Sequence, residues 1–311
     1  MDTDAVLPRR TRTYQNHHLD STRWDAFTPR AGDIVIATSY KAGTTWTQAI
    51  VANLLFPDGA FPRPPWQLSP WLDYRPIPLN DMIAGLEAQR NRRFIKTHLA
   101  LDGLRFFPEL RYVFVTRDAR DVAMSLWNHY ANLTDESFAL YNDTPGRVGA
   151  ALPRPPEDIA TFWRAWFTRG WFEWEGDGWP YWSHLDVTRT WWAFRHLPSI
   201  LVLNYADMLR DPTGCIGRIA RFLDVDASAR RIAEVAERVS FQAMKRDGAA
   251  YVPRAGAGWK GGVETFMNKG VNGRWRGTIT EADLELYDQA CARVLDPACR
   301  AWMETGALGP S

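Results

Sequence analysis

Residues 33–56 constrain the fold most. The β-branched run DIVIATSY (33–40) passes without a linker into KAGTT (41–45) and then into WTQAIVANLLF, whose apolar residues recur at helical spacing. A buried strand feeding a helix through so short a turn is half of a parallel βαβ unit. Pro57 ends the helix. The pattern recurs. RFIKTH (93–98) and RYVFVTR (111–117) read as strands, the latter followed by a helix from near Asp118 past Ser125, and SILVLNY (199–205) reads as a fourth strand. Helical patterns cover about 157–175, 181–196, the stretch after Pro212, 227–239 and 281–304. Residues 57–80 read as a long surface excursion, 131–156 as a loop or lid, and 241–277 as a Gly-rich irregular segment. Alternating strands and helices imply right-handed crossovers and an α/β fold with a central parallel sheet flanked by helices. Ligands then bind beyond the carboxyl ends of the strands.

Charge and cysteine content narrow the class. Lys plus Arg number 37 against 36 Asp plus Glu, so the basic excess of a general nucleic-acid binder is missing. Three cysteines, Cys215, Cys291 and Cys299, have no CxxC spacing and fit a reducing, cytoplasmic setting better than a disulfide framework. The first twenty residues lack the apolar core of a signal peptide, and no apolar run is long enough to span a bilayer. His17 and His18 beside Asp20 could suggest a metal, but a histidine pair in a polar segment is expected to be solvated. Most of the 16 tryptophans, many of them between Trp163 and Trp192, are expected to pack the core, with a minority facing a ligand.

The chemistry gathers at three strand ends. At the first, Gly43 allows close backbone approach to an anion, the following helix offers free N–H groups, Thr44 and Thr45 add hydroxyls, and Lys41 adds a cation. The Gly-Lys-Ser/Thr ending of a Walker loop is missing. At the second, Lys96 and His98 share one face of an extended strand, and nearby positive charge keeps His98 neutral, as a general base requires. At the third, Arg117 ends the strand and Ser125 follows eight positions later, a pair suited to clamp a second phosphate, while Asp118 and Asp121 serve the helix N-terminus.

Taken in order, TSYKAGTTW, KTHLA, the Arg117…Ser125 spacing, YADMLRDP, SFQAMK and FMNKGVNGRW resemble the cytosolic-type sulfotransferases, over about residues 38–285. The resemblance implies one domain over 1–311, related to P-loop nucleotide kinases, with an N-terminal extension over 1–30 and a donor-closing loop over 241–277. It implies 3′-phosphoadenosine 5′-phosphosulfate (PAPS) as donor, 3′-phosphoadenosine 5′-phosphate (PAP) as product, and no metal. By position, Lys41, Ala42, Gly43, Thr44 and Thr45 match the 5′-phosphosulfate loop. Trp46, Tyr205 and Phe241 match adenine-side contacts, and Lys96 and His98 the catalytic pair. Arg117 and Ser125 match the 3′-phosphate clamp, and Met267, Asn268, Lys269 and Gly270 its closing loop.

Several positions depart from the family. Ser39, Tyr40 and Ala42 break its usual Thr-Tyr-Pro-Lys-Ser-Gly opening. Asn268 stands for an arginine, Arg274 for an acidic residue, Arg276 for a lysine and Val239 for a hydroxyl residue. A dimer motif survives in part as Arg276, Thr280 and Glu285, with Glu281 in place of Val, which leaves monomer and homodimer both open.

The expected reaction is in-line sulfuryl transfer to the hydroxyl of a small, aromatic or apolar acceptor, with His98 as base and Lys41 and Lys96 stabilising charge. A nucleotide kinase, or a non-catalytic nucleotide-binding protein, is the alternative. Neither a membrane nor a nucleic acid is expected as partner. Pocket walls are expected from the 57–80 and 131–156 segments and the Trp-rich helices, with Tyr130, Trp163, Trp166 and His184 as acceptor-side candidates and core packing as the competing reading for each.

Overall fold

The computed structural model describes residues 6–307, so the first five and last four residues of the expected 1–311 domain lie outside it. Four parallel strands form the sheet, in the order β2-β1-β3-β4: β1 (Ile34–Thr38), β2 (Phe94–Thr97), β3 (Arg111–Thr116) and β4 (Ile200–Asn204). In register, Ile36 lies beside Lys96 and Val113, and Val115 beside Leu203. Every β1 side chain is buried, as a strand covered on both faces requires. The pleat divides the core accordingly. Ile34 and Ile36 pack under α1 (Thr44–Leu55) and the Pro212–Phe222 helix, while Val35 and Ala37 face the aromatic layer of the Ile159–Thr168 and His184–Ala193 helices.

Several expected loops are ordered elements. The 57–80 excursion is the wall of the sheet's open edge. Lys96 donates its backbone N–H to Pro70 O (2.9 Å) and Leu72 donates to Lys96 O (3.2 Å), so residues 70–72 extend the sheet past β2 and bury Leu72 and Asp73. The apolar positions that close this edge are spread among prolines, which masks any strand period. The 131–156 segment contains a helix, Asp135–Asp143, capped by Thr134. It is pinned from outside by Arg75, whose guanidinium donates to the carbonyls of His17, Tyr141, Thr144 and Pro145.

Helix bounds also differ. The 157–175 helix ends at Thr168, where a bridge between Gly170 and Gly178 takes over. Pro297 divides 281–304 into Glu281–Val294 and Pro297–Thr305, and the 241–277 segment holds three short α-helices and a 3-10 turn.

His17 and His18 are fully buried, against the expectation of a solvated pair. Their hydrogen bonds fix every proton. His17 Nε2 faces Pro180 O (2.8 Å), which can only accept, so the proton sits on Nε2 and leaves Nδ1 bare. His18 Nδ1 then donates to His17 Nδ1, and the hydroxyl of Tyr40 donates to the free His18 Nε2 (3.1 Å). Burial is the main cause that holds both rings neutral; Arg75 adds to it, and at His17 the Pro180 carbonyl opposes it. Tyr14, Leu19, Trp24 and Phe27 of the N-terminal extension are buried as well, in the core beside β1.

Candidate active site

A cavity of about 770 Å³ opens at the carboxyl ends of β1, β2 and β3, within the range of about 300–1,000 Å³ usual for ligand sites. One end is polar and cationic, the other aromatic.

The cationic end starts where β1 turns into α1. Lys41 has φ 61° and Gly43 φ 112°, both left-handed. Gly43 is the N-cap of α1 and has no side chain to cap it, which leaves the N–H groups of the first turn available to an anion. A Cβ at Gly43 would lie 2.9 Å from Tyr205, and one at Gly270 would lie 2.5 Å from Phe241, so both glycines are demanded by close packing of the cradle's aromatic walls.

Two lysines reach into the same space, and neither forms an ion pair among the described residues. Lys41 Nζ lies 4.5 Å from the Phe266 ring centre and Lys96 Nζ 4.6 Å from that of Trp71. Burial, reinforced by Arg117 and Lys96, lowers the Lys41 ammonium to about 7, and burial lowers Lys96 to about 8 against the opposing pull of Asp73. Converging cations under such a penalty are what an anion site looks like when its charge must come from the ligand. Among the described residues no group of three or more His, Cys, Asp or Glu could hold a metal ion.

Arg117, on the third strand end, is buried against Tyr205, with its guanidinium 4.4 Å from the ring centre. It donates to Asn272 Oδ1, Val271 O and Lys41 O, tying the 267–274 loop to the first strand end rather than pairing with an acid. Ser125 faces the same cavity from the second turn of the Ala119–Ala131 helix. Asp118 caps that helix as expected. Asp121 does not. Its carboxylate accepts from the backbone N–H groups of Gly273 and Arg274 and so anchors the closing loop.

His98 follows directly on β2 and is 3% exposed. Its Nδ1 donates to Thr38 O at 2.7 Å, which leaves the Nε2 lone pair free. Burial is the main reason its basicity falls well below the ordinary histidine range, with Lys96 and Lys41 adding to it. The residue is held from behind. Asp73 Oδ2 accepts the His98 backbone N–H (3.2 Å) and the Trp71 indole N–H (2.6 Å), and Trp182 donates to His98 O (3.0 Å). Asp73 thus joins the added 70–72 segment to the strand end that carries His98.

Of the other expected donor-side residues, Thr44, Thr45, Trp46, Tyr205, Phe241, Met267, Asn268, Lys269 and Gly270 line the cavity. Ala42 does not: its methyl is buried in the core, and only its backbone belongs to the turn.

The four acceptor-side candidates lie elsewhere. Trp163 donates its indole N–H to Asp283 O (2.8 Å) and packs on Phe167, and Trp166 stacks on Phe162, both behind the cavity. Tyr130 is turned away, its hydroxyl on Pro153 O. His184 bridges Ser39 Oγ and Arg117 O and so ties the first and third strand ends together from below. The aromatic end is built instead by Tyr40, Trp71, Tyr74, His129, Tyr141 and Trp259. Trp71, Tyr74 and Tyr141 come from the 57–80 and 131–156 segments expected to wall the pocket, and His129 carried its own signal, four residues after Ser125 on the same face of its helix. Its Nδ1 is buried without a partner, and burial keeps the ring neutral.

Comparison with known proteins agrees with this architecture. Residues 31–300 match the sulfotransferase domain. The chain is 32% identical to a glycolipid sulfotransferase of Mycobacterium bovis, over 99% of this chain and 96% of that one. It is 25% identical to rat sulfotransferase 1A1 over 86% of each. Its fold superposes on mouse sulfotransferase SULT7A1, solved with PAP, with a TM-score of 0.67 at 20% identity over 89% of both chains. The chain belongs to the sulfotransferase family, as a PAPS-dependent enzyme.

Proposed function

We propose that the cavity binds PAPS at its cationic end and an aromatic or apolar alcohol or phenol at its aromatic end, with His98 between them as general base. The observation that carries this reading is the bare Nε2 of a neutral histidine beside two lysines that form no ion pair among the described residues. When bound, the donor supplies the sulfuryl group and departs as PAP. His98 Nε2 takes the acceptor's hydroxyl proton, and the hydrogen bond to Thr38 O steadies the imidazolium that forms. Lys41 and the first turn of α1 set positive charge against the leaving phosphate, and Lys96 against the group in flight. The 267–274 loop, tied to Arg117, closes over the nucleotide.

The indole and phenol walls favour a flat apolar acceptor. The mycobacterial relative's name suggests a glycolipid instead, and indole faces at Trp71 and Trp259 also suit a sugar. A screen of phenols, steroid alcohols and glycolipids with labelled donor decides between them. Preferential turnover of phenols or steroid alcohols supports the reading, and turnover of glycolipids alone overturns it. No helix among the described residues is long and apolar enough to cross a membrane, and the three cysteines are free and buried, which supports a reducing, cytoplasmic setting.

Calorimetry tests the donor. PAP should bind without magnesium and far more tightly than ATP; an ATP preference or a magnesium requirement would point to a kinase. The same experiment has a protonic signature. In the free protein Lys41 titrates at about 7 and Lys96 at about 8, below the ordinary lysine value, so at pH 8 both are partly deprotonated. A bound anion restores their protonation. Binding should therefore take up protons between about pH 7 and 9, and affinity should fall as pH rises through that window. Titrations in buffers of different ionisation enthalpy read the uptake directly. Uptake absent at pH 8, with PAP bound, would mean that the lysines do not face the phosphates.

A further inference from the structure

The closing loop departs from the family at two positions of opposite sense: Asn268 removes a positive charge and Arg274 places one where an acid is usual. The structure shows where each charge change falls. Arg274 lines the same cavity as Arg117, Ser125, Asn268 and Lys269. Arg276 does not: its guanidinium lies on the outer face of Trp275, 4.3 Å from the ring centre.

Arg274 is held where a ligand contact needs to be. Its backbone N–H and that of Gly273 both donate to Asp121, and the next residue, Trp275, is buried under the guanidinium of Arg120. Its own guanidinium has no hydrogen-bond or ion-pair partner among the described residues. It is partly buried, and it lies close enough to Arg117 for that charge, after burial itself, to weaken its hold on a proton, with Asp121 opposing. Asp121 sits nearby, but its oxygens are engaged by the two backbone N–H groups. Two guanidinium groups on one cavity wall, neither ion-paired among the described residues, repel each other until an anion lies in front of both.

We propose that Arg274 is a donor-specificity residue, which supplies the cation lost at Asn268 and binds the 3′-phosphate together with Arg117 and Ser125. The inference rests on the donor reading above and deepens it: selectivity for a 3′-phosphorylated adenine nucleotide here depends on a residue arriving from six positions further along the loop. Charge has been exchanged within the loop, and phosphate recognition kept.

The test compares PAP with adenosine 5′-phosphate, which lacks only the 3′-phosphate, by calorimetry on the full chain. Arg274→Gln should weaken PAP by about 10–100-fold, the scale of one charge-assisted contact, and leave adenosine 5′-phosphate within about twofold. Arg276→Gln should leave both unchanged. Adding Asn268→Arg to Arg274→Gln should recover PAP binding, a readout that a merely structural role for Arg274 would not produce. The proposal is overturned if Arg274→Gln leaves the ratio of the two affinities unchanged, or weakens both nucleotides equally, while the unaltered protein still prefers PAP. A wild-type protein indifferent to the 3′-phosphate overturns the donor reading itself, and this inference with it.

Discussion

Replacing His98 by Ala should lower kcat by about 10²–10⁴-fold, the contribution of a positioned general base, while PAP affinity changes little. The size follows from how completely the ring is committed to one task. Its Nδ1 proton is locked on Thr38 O, its backbone N–H is held by Asp73, and its carbonyl accepts from Trp182, so Nε2 is left to react. The same surroundings set the pH dependence. Burial, with Lys96 and Lys41, holds the imidazole's titration well below the ordinary histidine range, so the base remains available on moving from pH 8 to pH 6. A limb in kcat near the usual histidine value would contradict that. His98→Gln is the companion variant. It keeps a hydrogen-bonding side chain in the cavity but cannot take a proton, so it should be as inactive as His98→Ala. Near-normal turnover in both variants would remove His98 from the chemistry, and loss of PAP binding in both would make it a donor contact.

How much of this could be read in the sequence differed between the two ends of the cavity. The cationic end is written locally. Lys41, Gly43, Lys96, His98 and Arg117 each sit at or next to the end of a strand with an unmistakable β-branched pattern, and in a parallel sheet those ends converge. The aromatic end is assembled by long-range contacts. Trp71 reaches Lys96 because residues 70–72 pair with β2, Tyr141 is set by Arg75 binding four carbonyls, and Tyr40 is oriented by the buried His18. None of those contacts leaves a periodic trace in sequence. Trp163 and Trp166 misled for a related reason: the Ile159–Thr168 helix is aromatic toward the core, and composition cannot tell a core-facing indole from a cavity-facing one. His17 and His18 misled because two adjacent histidines look polar until their tautomers are seen to interlock.

Lys41→Met should lower kcat by about 10²–10³-fold, the cost of deleting one preorganised charge from a transition-state cradle. Methionine retains the stem that packs against Phe266, and the Lys41 carbonyl that accepts from Arg117 is untouched, so the loop that joins the first and third strand ends should keep its shape. What disappears is a cation held in a partly buried site at a cost that its lowered pKa of about 7 records. A charge merely attracting an anionic nucleotide would show its loss in donor KM and in PAP affinity alike. A charge that meets the negative charge gathering on the leaving oxygen shows it mainly in kcat. Lys41→Met should therefore lower kcat by a larger factor than it raises donor KM, and it should remove part of the proton uptake that accompanies PAP binding at pH 8. The second readout guards the first. If kcat collapses while proton uptake stays whole, the titrating group is Lys96 alone, and Lys41 acts without changing its protonation. If donor KM rises as far as kcat falls, Lys41 is a binding residue, and stabilisation of the leaving phosphate must come from the uncapped N–H groups at the start of α1.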